Sequence, residues 1–422
     1  MLTNLPHDII NYDIFQFLNN NEIIKLKISS KKFEDTNIPF LSLNKELSLR
    51  YINDLKFKKK INLLIKNPLK NLGLDLSHTE KIDVSKLKNI HTLNLYATSV
   101  TDFSSLKNVH TLNLSGSKVS DVSMLGNVHT LNLSGTKVSD VSMLGNVHTL
   151  DLSHTEVENV SMLGNVYNLN LSHTKVKNVS MLGNVYNLDL SHTKITDFSI
   201  LGNVHTLNLS YTDITDVSML GNVHTLNLYG TKVSNVSKLK NVYNLNLAYT
   251  DVIDVSKLKN VYILNLAGNE VKDVSKLKNV HTLNLSDTLV TDVSMLGNVH
   301  NLNLYNTEVS DVSKLKNVYD LNLSFTNVSD VSELKNIHIL NLSNTKVKDV
   351  SMLTNVYSLD ISCTKISDVS KLKNVHILNI CHTKVRDVSM LKNLRKLYIS
   401  GTDISASEVK SELKNVHIFN FP

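Results

Sequence analysis

Histidine and cysteine are the residues whose types and spacing most invite chemistry. Histidine stands at 91, 110, 129, 148, 205, 224, 281, 300, 338 and 376, and tyrosine at 167, 186, 243, 262, 319 and 357, all in one phase of a nineteen-residue period. Recurring imidazoles could ligate zinc, but zinc takes three or four converging ligands, and a linear row supplies at most two at any point. The interchange of His with Tyr points instead to amphipathic rings packed along a row. Such a row is pH-sensitive, because each proton added repels its neighbours. Cys363 and Cys381 are the only cysteines, too few for a disulfide framework, and they read as independent thiols in a reducing compartment. A stabilising disulfide between them is the alternative. Ser, Asp and His occur in nearly every unit, so a triad drawn among them carries no weight. There is no nucleophile elbow, P-loop or dinucleotide glycine pattern. The expectation is a protein that is not an enzyme and uses no cofactor or metal.

The elements that hold these residues follow from the period. A typical unit starts at Val128 and runs V-H-T-L-N-L-S-G-T-K-V-S-D-V-S-M-L-G-N. Leu131-Asn132-Leu133 alternates with period two, so both leucines point inward and Asn132 points out. In-phase pairs run from Leu74 and Leu76 to Leu397 and Ile399, eighteen in all, and a further pair spaced by 22 falls on Phe419 and Phe421. So short a strand is stable only when stacked in parallel against identical neighbours. Thr136 turns the chain away, Val138, Val141 and Leu144 return inward, and Gly145-Asn146 leads to the next strand. The fold class is therefore a repeat solenoid with a parallel concave β-sheet.

Polar rows accompany the apolar ones. A Ser recurs in every unit from Ser85 to Ser389, with Asp or Asn two positions earlier in nearly all, as in Asp121-Val122-Ser123. These groups suit turns whose backbone amides need partners. Asn108, Asn127 and Asn146, before the strands, suit side-chain-to-backbone bonding or left-handed backbone. The outward strand positions, such as Thr92, Thr130, Asn94 and Asn132, make a neutral polar face. Just past the strand, residues vary: Gly116, His154, Tyr211, Tyr249, Asp287, Asn306, Phe325 and Cys363 share one row. Exposed aromatics commonly anchor protein interfaces. Tyr211, Tyr229, Tyr249, Tyr305 and Phe325 are thus the candidate contacts for a protein substrate or partner.

The pattern L-x-L-x-x-T/N-x-V resembles the leucine-rich repeat, and the D-V-S-x-L segment resembles its internalin-like class. The units are about three residues shorter than that class usually has. The family's Asn is mostly Thr here, as at Thr98, Thr136, Thr250 and Thr402, with Ser117 and Asn269 as exceptions. A Thr hydroxyl offers only a reduced version of the Asn hydrogen-bond network. A unit this short also leaves no room for a helix on the convex side.

Residues 1–40 lack the period. Leu5, Pro6, Ile9, Ile10, Ile14, Phe17 and Leu18 fall at helical spacing, and a second short helical pattern carries Ile24 and Leu26 before Ser30-Lys31-Lys32-Phe33. This stretch resembles the F-box, with Phe33 where that family has Trp. The resemblance implies binding of the linker subunit of a cullin–RING ubiquitin ligase through Leu5, Pro6, Ile9, Ile10, Ile14, Phe17, Leu18, Leu26 and Phe33. The repeats would then select the protein substrate. A plain solenoid cap is the alternative for this stretch. The alternative for the whole chain is a leucine-rich-repeat protein-binding scaffold or host-interaction protein with no ubiquitin role. Residues 41–70 read as a linker or degenerate capping repeat, with Lys56, Lys58, Lys59 and Lys60 a solvated face, and residues 71–422 as the solenoid. Together with the F-box-like start, the near-identical units and the Asn-, Lys-, Ile- and Tyr-rich composition resemble proteins encoded by giant DNA viruses of amoebae, with amoebal genomes themselves as the alternative.

Bulk properties set the remaining bounds. A formal net charge of +6 over 422 residues is not the concentrated footprint of a nucleic-acid binder. No run of 18 apolar residues suggests a membrane span, and no signal peptide is apparent. The expected location is the cytoplasm, that of the host if the protein is viral, with the nucleus possible.

Overall fold

The structure is a computed structural model that describes residues 40–420, apart from 66–67, 81, 88–89, 101–102 and 414. The chain divides into two units, one ending at Ile200 and one beginning at Leu201.

The described part of the first unit opens on the strand Leu41–Leu43, which pairs in parallel with Leu72–Asp75, Leu41 opposite Leu72 and Leu43 opposite Leu74. Three helices connect them: α1 (Lys45–Asn53), α2 (Leu55–Leu64) and α3 (Pro68–Asn71). Asn44 caps α1 by accepting the Leu47 amide at 3.0 Å, and Asp54 caps α2 by accepting the Lys56 and Phe57 amides at 2.9 and 3.0 Å. The buried Ser48 hydroxyl locks α1 to both strands. It donates to the Leu43 carbonyl and accepts the Asp75 amide, each at 3.0 Å. Lys56, Lys59 and Lys60 are exposed along α2, and the Lys58 ammonium lies 5.2 Å from the Tyr51 ring centroid.

Three-residue strands then repeat at Thr92–Asn94, Thr111–Asn113, Thr130–Asn132, Thr149–Asp151, Asn168–Asn170 and Asn187–Asp189. Each pairs in parallel with the next at an offset of one unit, as where Leu112 faces Leu131. The second unit carries the same strands from Thr206–Asn208 to Lys396–Tyr398, with Leu226 facing Leu245 and Leu378 facing Leu397. In both units the core is built alike. Leu131, Leu133, Val138, Val141, Leu144 and Val147 are all within 2% of complete burial, and so are Leu245, Leu247, Val252, Val255, Leu258 and Val261.

Between Asn71 and Ala406 no α-helix occurs among the described residues. The return path is made of turns and short 3₁₀ segments such as Ser104–Leu106 and Ser123–Leu125, which aim Leu106 and Leu125 inward. Polar side chains hold two turns in most of the described coils. Asp121 accepts the Ser123 amide at 2.9 Å to open the outer turn, and Asn132 accepts the Ser134 amide at 2.9 Å to leave the strand. Where Asn replaces Asp, the bond persists, with Asn159 accepting Ser161 at 3.0 Å. The Ser, Asp and Asn rows are thus structural.

Two expectations are sharpened or corrected. The Asn row before the strands takes the first of its two expected roles where Asn374 and Asn393 donate to the Thr354 and Lys373 carbonyls at 2.8 and 2.9 Å. Left-handed backbone falls instead on the variable row, with φ of 57° at His154, 55° at Tyr211, 59° at Phe325 and 56° at Cys363. Glycines occupy that same row at Gly116, Gly135, Gly230, Gly268 and Gly401, the residue this conformation favours. Second, the last coil is in a different register. Leu397 faces Ile418, not Phe419, because the longer connection includes α4 (Ala406–Glu412) before the strand His417–Phe419. Phe419 instead stacks on Tyr398, ring centroids 4.7 Å apart.

Candidate binding surface

The His and Tyr row forms a column of stacked rings in each unit. In the first, His91, His110, His129, His148, Tyr167 and Tyr186 stack with successive centroids 4.5–4.9 Å apart. In the second, the column runs from His205 to His376 with spacings of 4.4–5.0 Å. The in-register strands impose this spacing, which suits parallel rings. Nδ1 of His91 and of His110 also lies 3.1 and 3.2 Å from the hydroxyl of the following Thr, anchoring each ring to its own strand. Parallel rings cannot converge on one ion. Among the described residues no group of three or more His, Cys, Asp or Glu side chains could hold a metal.

The stack leaves a mark on the imidazoles. Partial burial pulls His91 below the ordinary imidazole value. At His110 and His129 burial acts first, and the neighbouring imidazoles add to it. A second, shorter stack joins His154, His173 and His192 in the left-handed row, at 4.2 and 4.1 Å.

The five contact candidates all lie in the second unit and fall into two clusters. Tyr229 sits between Tyr211 and Tyr249, edge to face with each, at 5.1 and 5.4 Å. Tyr305 and Phe325 form the other, also edge to face, at 5.3 Å. Tyr211, Tyr249 and Phe325 each remain about half exposed, at 51, 53 and 50%. Glycine makes room for two of these rings. A Cβ on Gly268 would meet the Tyr249 ring at 2.6 Å, and one on Gly230 the Tyr211 ring at 3.0 Å. The left-handed backbone and the neighbouring glycine fix where these rings lie. The hydrogen bond with Tyr229 holds the Tyr211 phenol above its ordinary value, so it stays protonated near neutral pH. The cluster offers aromatic faces and phenol hydroxyls.

The polar strand face is less free than its composition suggests. Asn94 and Asn113 accept the amides of Tyr96 and Ser115 and are linked to each other, Asn113 Nδ2 donating to Asn94 Oδ1 at 3.0 Å. Sequence reasoning missed a different exposed row. Met124, Met143, Met162 and Met181 stand on the outer turns of consecutive coils, 52–59% exposed. The signal was there: Met recurs between the inward Val and Leu positions of V-S-M-L-G, where the core pattern asks for no apolar residue. The F-box-like residues Leu5, Pro6, Ile9, Ile10, Ile14, Phe17, Leu18, Leu26 and Phe33 lie outside the described residues.

In-register parallel strands, paired inward leucines, a mostly buried Thr, Ser or Asn just past the strand and a turn-built return define a leucine-rich-repeat-type solenoid in each unit. Comparison with solved structures agrees. The chain is similar to a leucine-rich-repeat protein of Leptospira interrogans, with a TM-score of 0.59 and 21% identity over 81% of this chain and 100% of that one. It is similar to Toll in the Toll–Spatzle complex of Drosophila, with a TM-score of 0.61 and 15% identity over 92% of this chain and 63% of that one. It is also similar to the functional domain of InlJ from Listeria monocytogenes, with a TM-score of 0.51 and 20% identity over 75% of this chain and 70% of that one. At such identities the likeness is one of fold. No protein-family model matches the sequence, and no curated protein matches it.

Proposed function

We propose that the protein is a non-catalytic binding scaffold that recognises a protein partner through the rim of its second unit. The observation that carries this reading is the Tyr211–Tyr229–Tyr249 cluster. Its rings are exposed enough to be covered by a partner and already held by each other and by Gly230 and Gly268. Rings positioned before binding lose little freedom on docking, which is how a small number of aromatics dominate an interface. The similar Toll chain was solved in a complex with Spatzle, which supports a partner-binding role. The test is affinity capture with the full chain and with a Tyr211→Ala/Tyr249→Ala variant. Proteins retained by the first and lost by the second support the reading. A captured set identical for both removes this cluster from it.

A second reading is favoured by the sequence of the first forty residues. Leu5, Pro6, Phe17 and the residues that complete the F-box-like pattern would dock on the linker subunit of a cullin–RING ubiquitin ligase in the cytoplasm. The solenoid would then deliver a protein substrate. Its support is the residue pattern alone. Pull-down with purified linker subunit tests it: binding abolished by changing Leu5, Pro6 and Phe17 establishes the adaptor, and absence of binding by the unmodified chain eliminates it.

A further inference from the structure

Cys363 and Cys381 lie in adjacent coils, and their backbones are joined directly, the Cys363 N–H donating to the Cys381 carbonyl at 2.9 Å. The same bond at the same sequence offset joins His78 to Tyr96 at 2.8 Å and Tyr211 to Tyr229 at 2.9 Å. At both of those places the side chains meet, with ring centroids 4.9 and 5.1 Å apart. A pair placed in this way can bring its side chains together across the gap between coils, as these two aromatic pairs do. Both cysteines lie in turns of coils that stack about 4.8 Å apart and share one N–H···O bond, a closeness compatible with the ~4.4–6.8 Å Cα separation that a disulfide spans. Cys363 is exposed in the left-handed row, and Cys381 is half-buried with its amide held by Asn379 at 3.0 Å. Both are free thiols. The chain has no other cysteine, so an intramolecular disulfide can form nowhere else.

We propose that Cys363 and Cys381 form a redox-sensitive clamp between two coils, closed by small-molecule disulfides of the glutathione class. The exposed Cys363 loses its proton to solvent and attacks one sulfur of glutathione disulfide, forming a mixed disulfide and releasing one glutathione thiolate, which takes up a proton. Cys381, deprotonated in turn, attacks the Cys363 sulfur; the mixed S–S bond breaks and a second glutathione leaves. Two protein thiols and one glutathione disulfide thus become one protein disulfide and two glutathiones. Closure pins adjacent coils together and removes a free thiol from the row that also bears Tyr211, Tyr249 and Phe325. This inference stands independently of what the solenoid binds.

The experiment uses the full native chain, incubated with glutathione disulfide, blocked with iodoacetamide and digested with trypsin without reduction. Lys365, Lys371 and Lys373 lie between the two cysteines, so the clamp appears as a cross-link between the peptide ending at Lys365 and the one ending at Lys384. The expected major product is that linked pair, lost on adding dithiothreitol and absent from Cys381→Ser, in which Cys363 keeps its glutathione adduct. Separate glutathione adducts on both cysteines, or covalent dimers in place of the linked pair, overturn the proposal. Hydrogen exchange gives a second readout. Amides between 363 and 381 should exchange several-fold more slowly after oxidation of the native chain, and unchanged exchange in the cross-linked protein would overturn the clamp.

Discussion

Asn269 binds Thr250 across one coil: its Oδ1 accepts the Thr250 amide at 2.9 Å and the Thr250 hydroxyl at 3.1 Å. Its Nδ2 donates to the Leu247 and Leu266 carbonyls at 2.8 and 2.9 Å. Where no Asn stands in the adjacent coil, a Thr at the same position bonds only locally, as Thr136 does to Leu133 at 2.6 Å. One Asn thus spans two coils where Thr serves only its own. Asn269→Thr should keep the bond to Leu266 and lose those to the neighbouring coil. We expect a loss of about 1–3 kcal/mol, the range for disrupting buried hydrogen bonds. Urea denaturation would measure it, and hydrogen exchange at the Thr250 amide should accelerate. An unaltered Thr250 amide would refute the cross-coil account.

Ser117 marks the opposite case in the same row. Its hydroxyl is buried and is the one buried side-chain polar atom without a partner among the described residues. A Thr there would place its hydroxyl toward the Leu114 carbonyl, as Thr136 does with Leu133, and add a buried methyl. Ser117→Thr should therefore stabilise the first unit by about 1 kcal/mol. A lower melting temperature for this variant would show that the first unit has no space for the methyl.

The nineteen-residue phase made the core legible because inward Leu and Val recur without slippage, and register follows from phase alone. The stacked His and Tyr column was legible for the same reason. The left-handed row was not, because it was read for its variety. Tyr211, Phe325 and Cys363 drew attention as side chains, while the glycines at 116, 135, 230, 268 and 401 carried the backbone signal. The grouping of the five aromatics was hidden too. Tyr211 and Tyr229 belong to different rows, and only the backbone bond linking one coil's row to its neighbour's brings them together. The register of the final coil was not legible, because its longer connection holds α4 and places Ile418, not Phe419, opposite Leu397.

Left-handed backbone has a measurable cost wherever a side chain occupies it. Ala97 has φ 53°, with its amide bound to the Ser115 carbonyl at 2.9 Å. Left-handed geometry costs an L-residue roughly 1–2 kcal/mol, and glycine returns roughly 0.5–1 kcal/mol of that through the greater freedom of its unfolded chain. Ala97→Gly should therefore stabilise by roughly 0.5–1 kcal/mol. Gly135→Ala should destabilise by a similar amount, although a Cβ there would find its nearest neighbour 3.9 Å away. Equal melting temperatures for the wild type and both variants would mean that this row stores no strain.

Acid should weaken the protein in two separate steps, owed to two different rows. His91, His110 and His129 have values below the ordinary imidazole, mainly through burial. The unfolded chain, near ~6.5, therefore takes up protons first as pH falls, and stability declines from there until the folded values are passed. The aspartates of the outer turn behave differently. Asp121 and Asp140 are held below the usual carboxylate range, first by the amides of Ser123 and Ser142 and then by their hydroxyls. Their contribution is whole above the unfolded value of ~3.9 and is lost as pH falls through the lower folded value. A His91→Tyr/His110→Tyr/His129→Tyr variant preserves stacking, since His148 and Tyr167 already stack at 4.9 Å. It should shrink the first step and leave the second. Asp121→Asn/Asp140→Asn keeps the turn, as Asn159 does with Ser161, and should reduce only the second step. Thermal melts between about pH 8 and pH 3 distinguish the two steps. An identical decline near pH 6 in the triple variant and the wild type would show that the stacked histidines do not govern it.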